Sequence, residues 1–299
     1  MTEPSSPAIS PTTLGPSTLD RNGPDRGASH SGPRIGVFDS GFGGLTVLKT
    51  LLPSIPGAQY IYLGDTARLP YGSKSQATIA RYAVSSARFL LDQGAEFLVI
   101  ACNTASALAL EDIRAAVPVP VLGVIEPGVS QAKKTSRSGD ILVIGTDATV
   151  QSHAYRTASR NLGLNALEKA CPLLVPLVEE GWVGHPVTAE VVRIYLSELA
   201  AEASAAGLSP DTLVLGCTHY PLLRPVIEKT VPWNVVDAAE MTALETRRQL
   251  AAVGAVPDAS AGPATSRFFA TDSVAKFRRL GAAFLGQPMG EVELVDLGG

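Results

Sequence analysis

The chain has 299 residues, 45% of them hydrophobic and 17% charged. That is enough to bury a large core and excludes disorder throughout. Twenty-four Lys and Arg against 28 Asp and Glu leave a formal charge of -4, so no cationic field favours polyanions and direct nucleic-acid binding is not expected.

Residues 1–33 hold six Pro, six Ser, four Gly and four Thr among scattered apolar residues, the composition of a disordered tail. No continuous apolar stretch follows a basic start, so no secretory signal is expected. The most apolar later stretch, Phe97 to Leu110, is interrupted by Asn103, Thr104 and Ser106 and is too short for a bilayer. The three cysteines form no CxxC pair and are too few for a disulfide framework, as in a reducing cytoplasm.

From Arg34, short runs of apolar and β-branched residues alternate with longer stretches of helical spacing, which predicts an α/β fold. Strands are expected at Ile35–Phe38, Tyr60–Leu63, Phe97–Ala101, Val121–Val124, Ile141–Ile144, Leu213–Leu215 and Val235–Val236. Their nearly uniform apolarity suggests parallel sheets covered on both faces. Ala83, Ala87, Leu90 and Leu91 make one helical stripe, and Val187, Val191, Tyr195 and Leu199 another; both are expected to face a core.

Two segments echo each other. EFLVIACNTASALAL (96–110) and DTLVLGCTHYPLLRP (211–225) each run from an acidic residue through a four-residue apolar strand and a small residue to a cysteine. Polar residues and a helical stretch follow. The cysteines, Cys102 and Cys217, are separated by about a domain's length. Two related lobes, each delivering one cysteine from the same place in its fold, account for this.

In open parallel sheets ligands gather at the carboxyl ends of the strands. Polar clusters occupy that position at Asp39–Ser40–Gly41, at Asp65 to Gly72, at Cys102–Asn103–Thr104 and at Cys217–Thr218–His219. The DSGFGG run, Asp39 to Gly44, allows close backbone approach to an anion. It is not a nucleotide fingerprint, because Thr46 stands where a third glycine would be needed and no GxxxxGK[ST] occurs.

Placement where a helix begins is expected to favour a thiolate at Cys102 and Cys217. A pair of thiols on opposite sides of a small chiral carbon acid can invert it, one removing a proton and the other delivering one. Cys171, followed by apolar residues, reads as structural, and His153 and His185 as surface or capping residues. With no HExxH and no CxxC, no metal site is expected.

Together, VFDSGFGGLTVL, YLGDTARLPYG, ACNTAS, LGCTHYPLL and VDAAE make the chain, from about Arg34 to Leu285, closely similar to the cofactor-independent glutamate racemases of bacteria. That resemblance implies an isomerase that interconverts L- and D-glutamate with no cofactor and supplies D-glutamate for peptidoglycan. It also implies two pseudo-symmetric α/β lobes, 34–125 plus 239–299 and 126–238, with the active site between them, commonly in a homodimer.

The resemblance makes Cys102 the base for D-glutamate and Cys217 the base for L-glutamate, assisted by Asp39 and His219. Substrate contacts fall on Asp39, Ser40, Tyr71, Gly72, Asn103, Thr104, Thr218 and His219. A further carboxylate matches Glu179, with Glu180 adjacent. Two alternatives stand beside this. Another acidic amino acid such as aspartate would suit the same cysteines, although aspartate racemases resemble Cys-Thr-Glu where this chain has Cys217-Thr218-His219. A non-catalytic binding protein would need no pair of thiols.

Overall fold

A computed structural model describes residues 32–255 and 262–298. The tail expected over 1–33 lies outside these apart from Gly32 and Pro33. Pro33 is buried and its carbonyl accepts the Gln59 N–H at 2.9 Å, so it belongs to the fold rather than to the tail.

The first half of the described chain comprises β1 (Arg34–Asp39), α1 (Leu45–Ser54), β2 (Gln59–Gly64), α2 (Gln76–Asp92), β3 (Phe97–Ile100), α3 (Asn103–Leu108), α4 (Leu110–Ala116), β4 (Val121–Gly123) and α5 (Ile125–Thr135). There follow β5 (Asp140–Gly145), α6 (Asp147–Gln151), α7 (Ala154–Asn161), β6 (Asn165–Ala170), α8 (Leu174–Glu179), α9 (Pro186–Ala205), β7 (Thr212–Gly216), α10 (Arg224–Thr230) and β8 (Asn234–Val236). Finally come α11 (Ala239–Ala252), β9 (Thr265–Ala270), α12 (Val274–Leu285) and β10 (Val292–Leu294).

The strands form two sheets, ordered β10-β9-β2-β1-β3-β4 and β6-β5-β7-β8, and every pairing is parallel. The order β2-β1-β3-β4 in the first sheet repeats as β6-β5-β7-β8 in the second. The sequence echo is therefore topological: β3 and β7 are equivalent strands, and Cys102 and Cys217 follow them.

Both faces of the first sheet are covered, as uniformly apolar strands require. Ile35, Val37 and Val99 join Leu45, Leu48 and Leu51 of α1 on one face. Phe38, Leu63 and Ile100 join Ala83, Ala87 and Leu90 of α2 on the other. Burial of one leucine such as Leu90 contributes roughly 1.5–3 kcal/mol.

All the expected strands are present to within a residue or two. Three further strands, β6, β9 and β10, were not signalled by composition. β6 (NALEKA) and β10 (VEL) are sheet edges with polar exposed positions, and β9 buries only its second half, Phe268 to Ala270.

The stripe expected on α9 is displaced by one residue. The helix buries Thr188, Val192, Leu196, Leu199 and Ala203, while Val187 is 46% exposed. Strict four-residue spacing precesses around a helix of 3.6 residues per turn, so only Leu199 of the expected set is fully buried. Among the described residues, no helix is long and apolar enough to cross a membrane.

Candidate active site

Register delivers the site residues to one level. Asp39 pairs with Gly64 and Phe38 with Ile100, so β1, β2 and β3 end together. Asp39 then turns into a glycine-rich segment, its Oδ2 accepting the Gly41 N–H at 2.8 Å. The glycines are sterically required here. A Cβ on Gly43 would overlap Thr218 Oγ1 and come within 2.7 Å of His219 Nδ1, and one on Gly44 would come within 2.6 Å of the Asp39 Cβ.

Cys102 is the N-cap of α3. Its Sγ accepts the Ala105 N–H at 3.4 Å and donates to Ser40 Oγ at 3.5 Å. Burial, and then the charge of Asp39, push the Cys102 thiol up to about 12, against the opposing effect of its hydrogen bonds with Ser40 and Ala105. The thiolate expected from a helix start is thus overridden: desolvation in an apolar wall outweighs a one-turn dipole. Burial likewise pushes the Asp39 carboxyl above the usual carboxylate range, opposed by His219 and by the Gly41 and Gly44 N–H groups.

Cys217 follows β7 and precedes not an α-helix but a 3-10 turn, Tyr220–Leu223. Its Sγ lies 3.9 Å from His219 Nδ1. On the other side of the ring, His219 Nε2 is 3.4 Å from Glu179 Oε1, close enough for charge pairing but off the hydrogen-bond axis. Burial alone would push His219 down. Cys217, Glu179 and Asp39 outweigh it and raise the ring to about 10. Burial pushes Glu179 up, but His219 and Lys276 outweigh that and hold its carboxyl below its usual range.

The remaining walls are braced. Tyr71 donates to buried Asp65, which also accepts from Arg68 Nε at 3.0 Å and Thr271 Oγ1 at 2.9 Å. Tyr155 of α7 donates to Asn103 Oδ1 at 2.7 Å. Thr104 Oγ1 lies 3.0 Å from Thr146 Oγ1 and 3.2 Å from Thr149 Oγ1. Each of these last contacts joins an element of the six-stranded sheet to one of the four-stranded sheet. They enclose a cavity of about 290 Å³ lined by both thiols and by residues following β1, β2, β3, β5, β6 and β7.

A family profile described as Asp/Glu/Hydantoin racemase matches residues 45–246. The glutamate racemase of Koribacter versatilis (strain Ellin345) is 53% identical over 295 residues, 91% of this chain and 100% of that protein. The chain belongs to the glutamate racemases. Glutamate racemase from Francisella tularensis, solved in complex with D-glutamate, superposes with a TM-score of 0.81 at 36% identity, over 89% of this chain and 98% of that one. An isoform from Bacillus anthracis gives 0.82 at 37% identity with the same coverage. These likenesses do not favour the aspartate or binding-protein alternatives.

In this member of the glutamate racemases, Ser40, Tyr71, Gly72, Cys102, Asn103, Thr104, Glu179, Cys217, Thr218 and His219 all line the one cavity. Asp39 does not. It stands behind the wall at 0% exposure, accepting from Gly41 and, at 3.4 Å, from Thr218 Oγ1. Glu180 also lines the cavity, but it is Glu179 that pairs with His219 and Lys276.

His185 caps α9, accepting the Val187 N–H at 3.1 Å, and His153 pairs with Glu168 at 3.0 Å; His30 lies outside the described residues. Thr146 and Asp147 also line the cavity without having been singled out. Their signal was available, since they follow the apolar run ILVIG as Cys102 follows FLVIA.

Proposed function

We propose that the chain racemises glutamate by a two-thiol proton transfer across this cavity. Cys217 removes the α-proton of L-glutamate, the Cα–H electron pair passes to the carbon and its carboxylate, and Cys102 delivers its S–H proton to the opposite face. D-glutamate is converted by the reverse sequence. The observation that carries this is a single cavity with one thiol from the equivalent strand end of each lobe. The protonated state favoured at Cys102 suits a proton donor when L-glutamate is the substrate.

His219 exchanges protons with Cys217 and is held by Glu179; Asp39 acts on Cys102 and His219 from behind the wall. Ser40, Tyr71, Gly72, Asn103, Thr104 and Thr218 hold the substrate, with donors aimed at its carboxylates where charge develops. The two lobes, 34–125 plus 239–299 and 126–238, close on it and exclude water. By resemblance to the family, the reaction proceeds without a cofactor in the cytoplasm of a homodimeric enzyme and supplies D-glutamate for peptidoglycan.

The test is circular dichroism of the protein mixed with each enantiomer of glutamate and of aspartate, no cofactor being added. Decay of both glutamate signals and neither aspartate signal is expected. Decay with aspartate alone would overturn the substrate assignment, and silence with all four would overturn racemisation. Cys102→Ser and Cys217→Ser should each lose about 10³-fold or more in both directions, because each face needs its own acid and base. Full activity in either variant would end the two-thiol assignment.

A further inference from the structure

We infer that Lys276 is a positioning residue for the proton transfer at Cys217: from the opposite lobe it holds one oxygen of Glu179 so that the other stays against His219. This rests on the two-thiol reading. Lys276 lies on α12, which follows β9 of the six-stranded sheet, whereas Glu179 ends α8, which follows β6 of the four-stranded sheet. Lys276 Nζ is 3.2 Å from Glu179 Oε2, while Glu179 Oε1 is 3.4 Å from His219 Nε2. The two carboxylate oxygens are therefore divided between the lobes, and a line of contacts runs from Lys276 through Glu179 and His219 to Cys217 Sγ.

A second contact fixes the lysine itself. Its Nζ lies 5.6 Å from the centroid of the Phe42 ring, in the glycine-rich segment whose next residue, Gly43, abuts Thr218 and His219. Lys276 is 40% exposed and Glu179 only 15%. A pair with one partner this exposed contributes little to folding, so its position against His219 is better explained by orientation than by stability. Without the lysine, the Glu179 carboxylate loses its Nζ donor and keeps only the off-axis contact with His219 Nε2.

The charged and titratable groups around Glu179 are Lys276 from α12, His219 and Cys217 from the segment after β7, Asp39 behind His219, Glu180 next in the chain, and, sharing the cavity lining, Tyr71 after β2, Cys102 after β3 and Asp147 after β5. Of these, Lys276 and His219 hold the Glu179 carboxylate ionised. Removing Lys276 raises the pH at which that charge is lost on acidification.

The two enantiomers have equal free energy, so kcat/KM must stay equal in the two directions in every variant. A one-sided effect appears instead in primary isotope effects with α-deuterated substrates. Lys276→Met is expected to lower kcat about tenfold with KM little changed. It should also move the acid limb of the kcat/KM profile to higher pH, and raise the isotope effect for α-deuterated L-glutamate relative to the D-enantiomer. Lys276→Arg should restore the profile. In a Glu179→Gln background, Lys276→Met should add nothing.

Wild-type pH profile and isotope effects in Lys276→Met, or a full further loss in the Glu179→Gln background, would overturn the inference. A wild-type protein inert towards both glutamates would instead bring down the two-thiol reading beneath it.

Discussion

Asp39 shows how a single residue is placed against its own stability. Its carboxyl is fully buried and raised above the usual range by desolvation, with His219 and two backbone N–H groups only partly compensating. A carboxylate whose folded value lies above its unfolded one costs stability at neutral pH, and the cost is relieved as the pH falls through the folded value. Asparagine keeps the shape and can still accept from Gly41 while removing the buried charge. Asp39→Asn is therefore expected to raise the urea midpoint at pH 7 by about 1 kcal/mol equivalent, to flatten the gain in stability on acidification, and to lower racemisation. A midpoint below wild type would mean that the hydrogen bonds to Gly41 and Thr218 outweigh desolvation.

At the scale of elements, the site is made where the segment after β1 meets the segment after β7. Gly43 permits that meeting, because any side chain there collides with Thr218 and His219. Gly43→Ala is expected to displace the His219 ring, lowering kcat/KM about 10²-fold, the cost of a misplacement of about 1 Å, with overpacking of roughly 1–3 kcal/mol seen in thermal unfolding. Gly184, with no atom near its would-be Cβ and an ordinary φ, is the control: Gly184→Ala should leave both unchanged. Equal effects at the two positions would show that close approach is not what Gly43 provides.

The same elements show what was legible in sequence. Apolar runs ending in polar residues announced β1, β2, β3 and β7 together with Asp39, Cys102 and Cys217, because a doubly covered parallel strand must be apolar and its carboxyl end must not be; Tyr71, seven residues beyond β2, was singled out by the family resemblance alone. β6 and β10 were silent because edge strands tolerate polar residues. Lys276 and Tyr155 were silent for another reason: each acts through a partner, Glu179 or Asn103, that is distant in sequence and adjacent only once both sheets have formed. Spacing could not separate Glu179 from Glu180, whereas Lys276 and His219, converging from two different elements, do.

At the scale of the whole molecule, a cavity between two sheets is only as well defined as the ties across it. One such tie, at the residue after Cys102, is the bond from Tyr155 to Asn103 Oδ1, 2.7 Å long and buried. Burial pushes the Tyr155 phenol far above its ordinary value, so it stays an O–H donor, and the only amide atom that can accept is Oδ1. Under the proposed function the Asn103 NH2 is the group that donates to the substrate, and the amide cannot flip without losing its Tyr155 partner.

Tyr155→Phe removes the donor but not the ring. Asn103 Oδ1 then loses its bond, a cost of about 1–2 kcal/mol in urea unfolding, and the amide samples both orientations. KM for glutamate should rise several-fold with a smaller change in kcat, since what is lost is presentation of a binding group rather than a thiol. A kcat loss with unchanged KM would place Tyr155 in support of Cys102 instead, and no change in either would show that this bond does not present Asn103 and that the other ties across the cavity, among them Thr104 to Thr146 and Thr149 and Thr218 to Asp39, suffice.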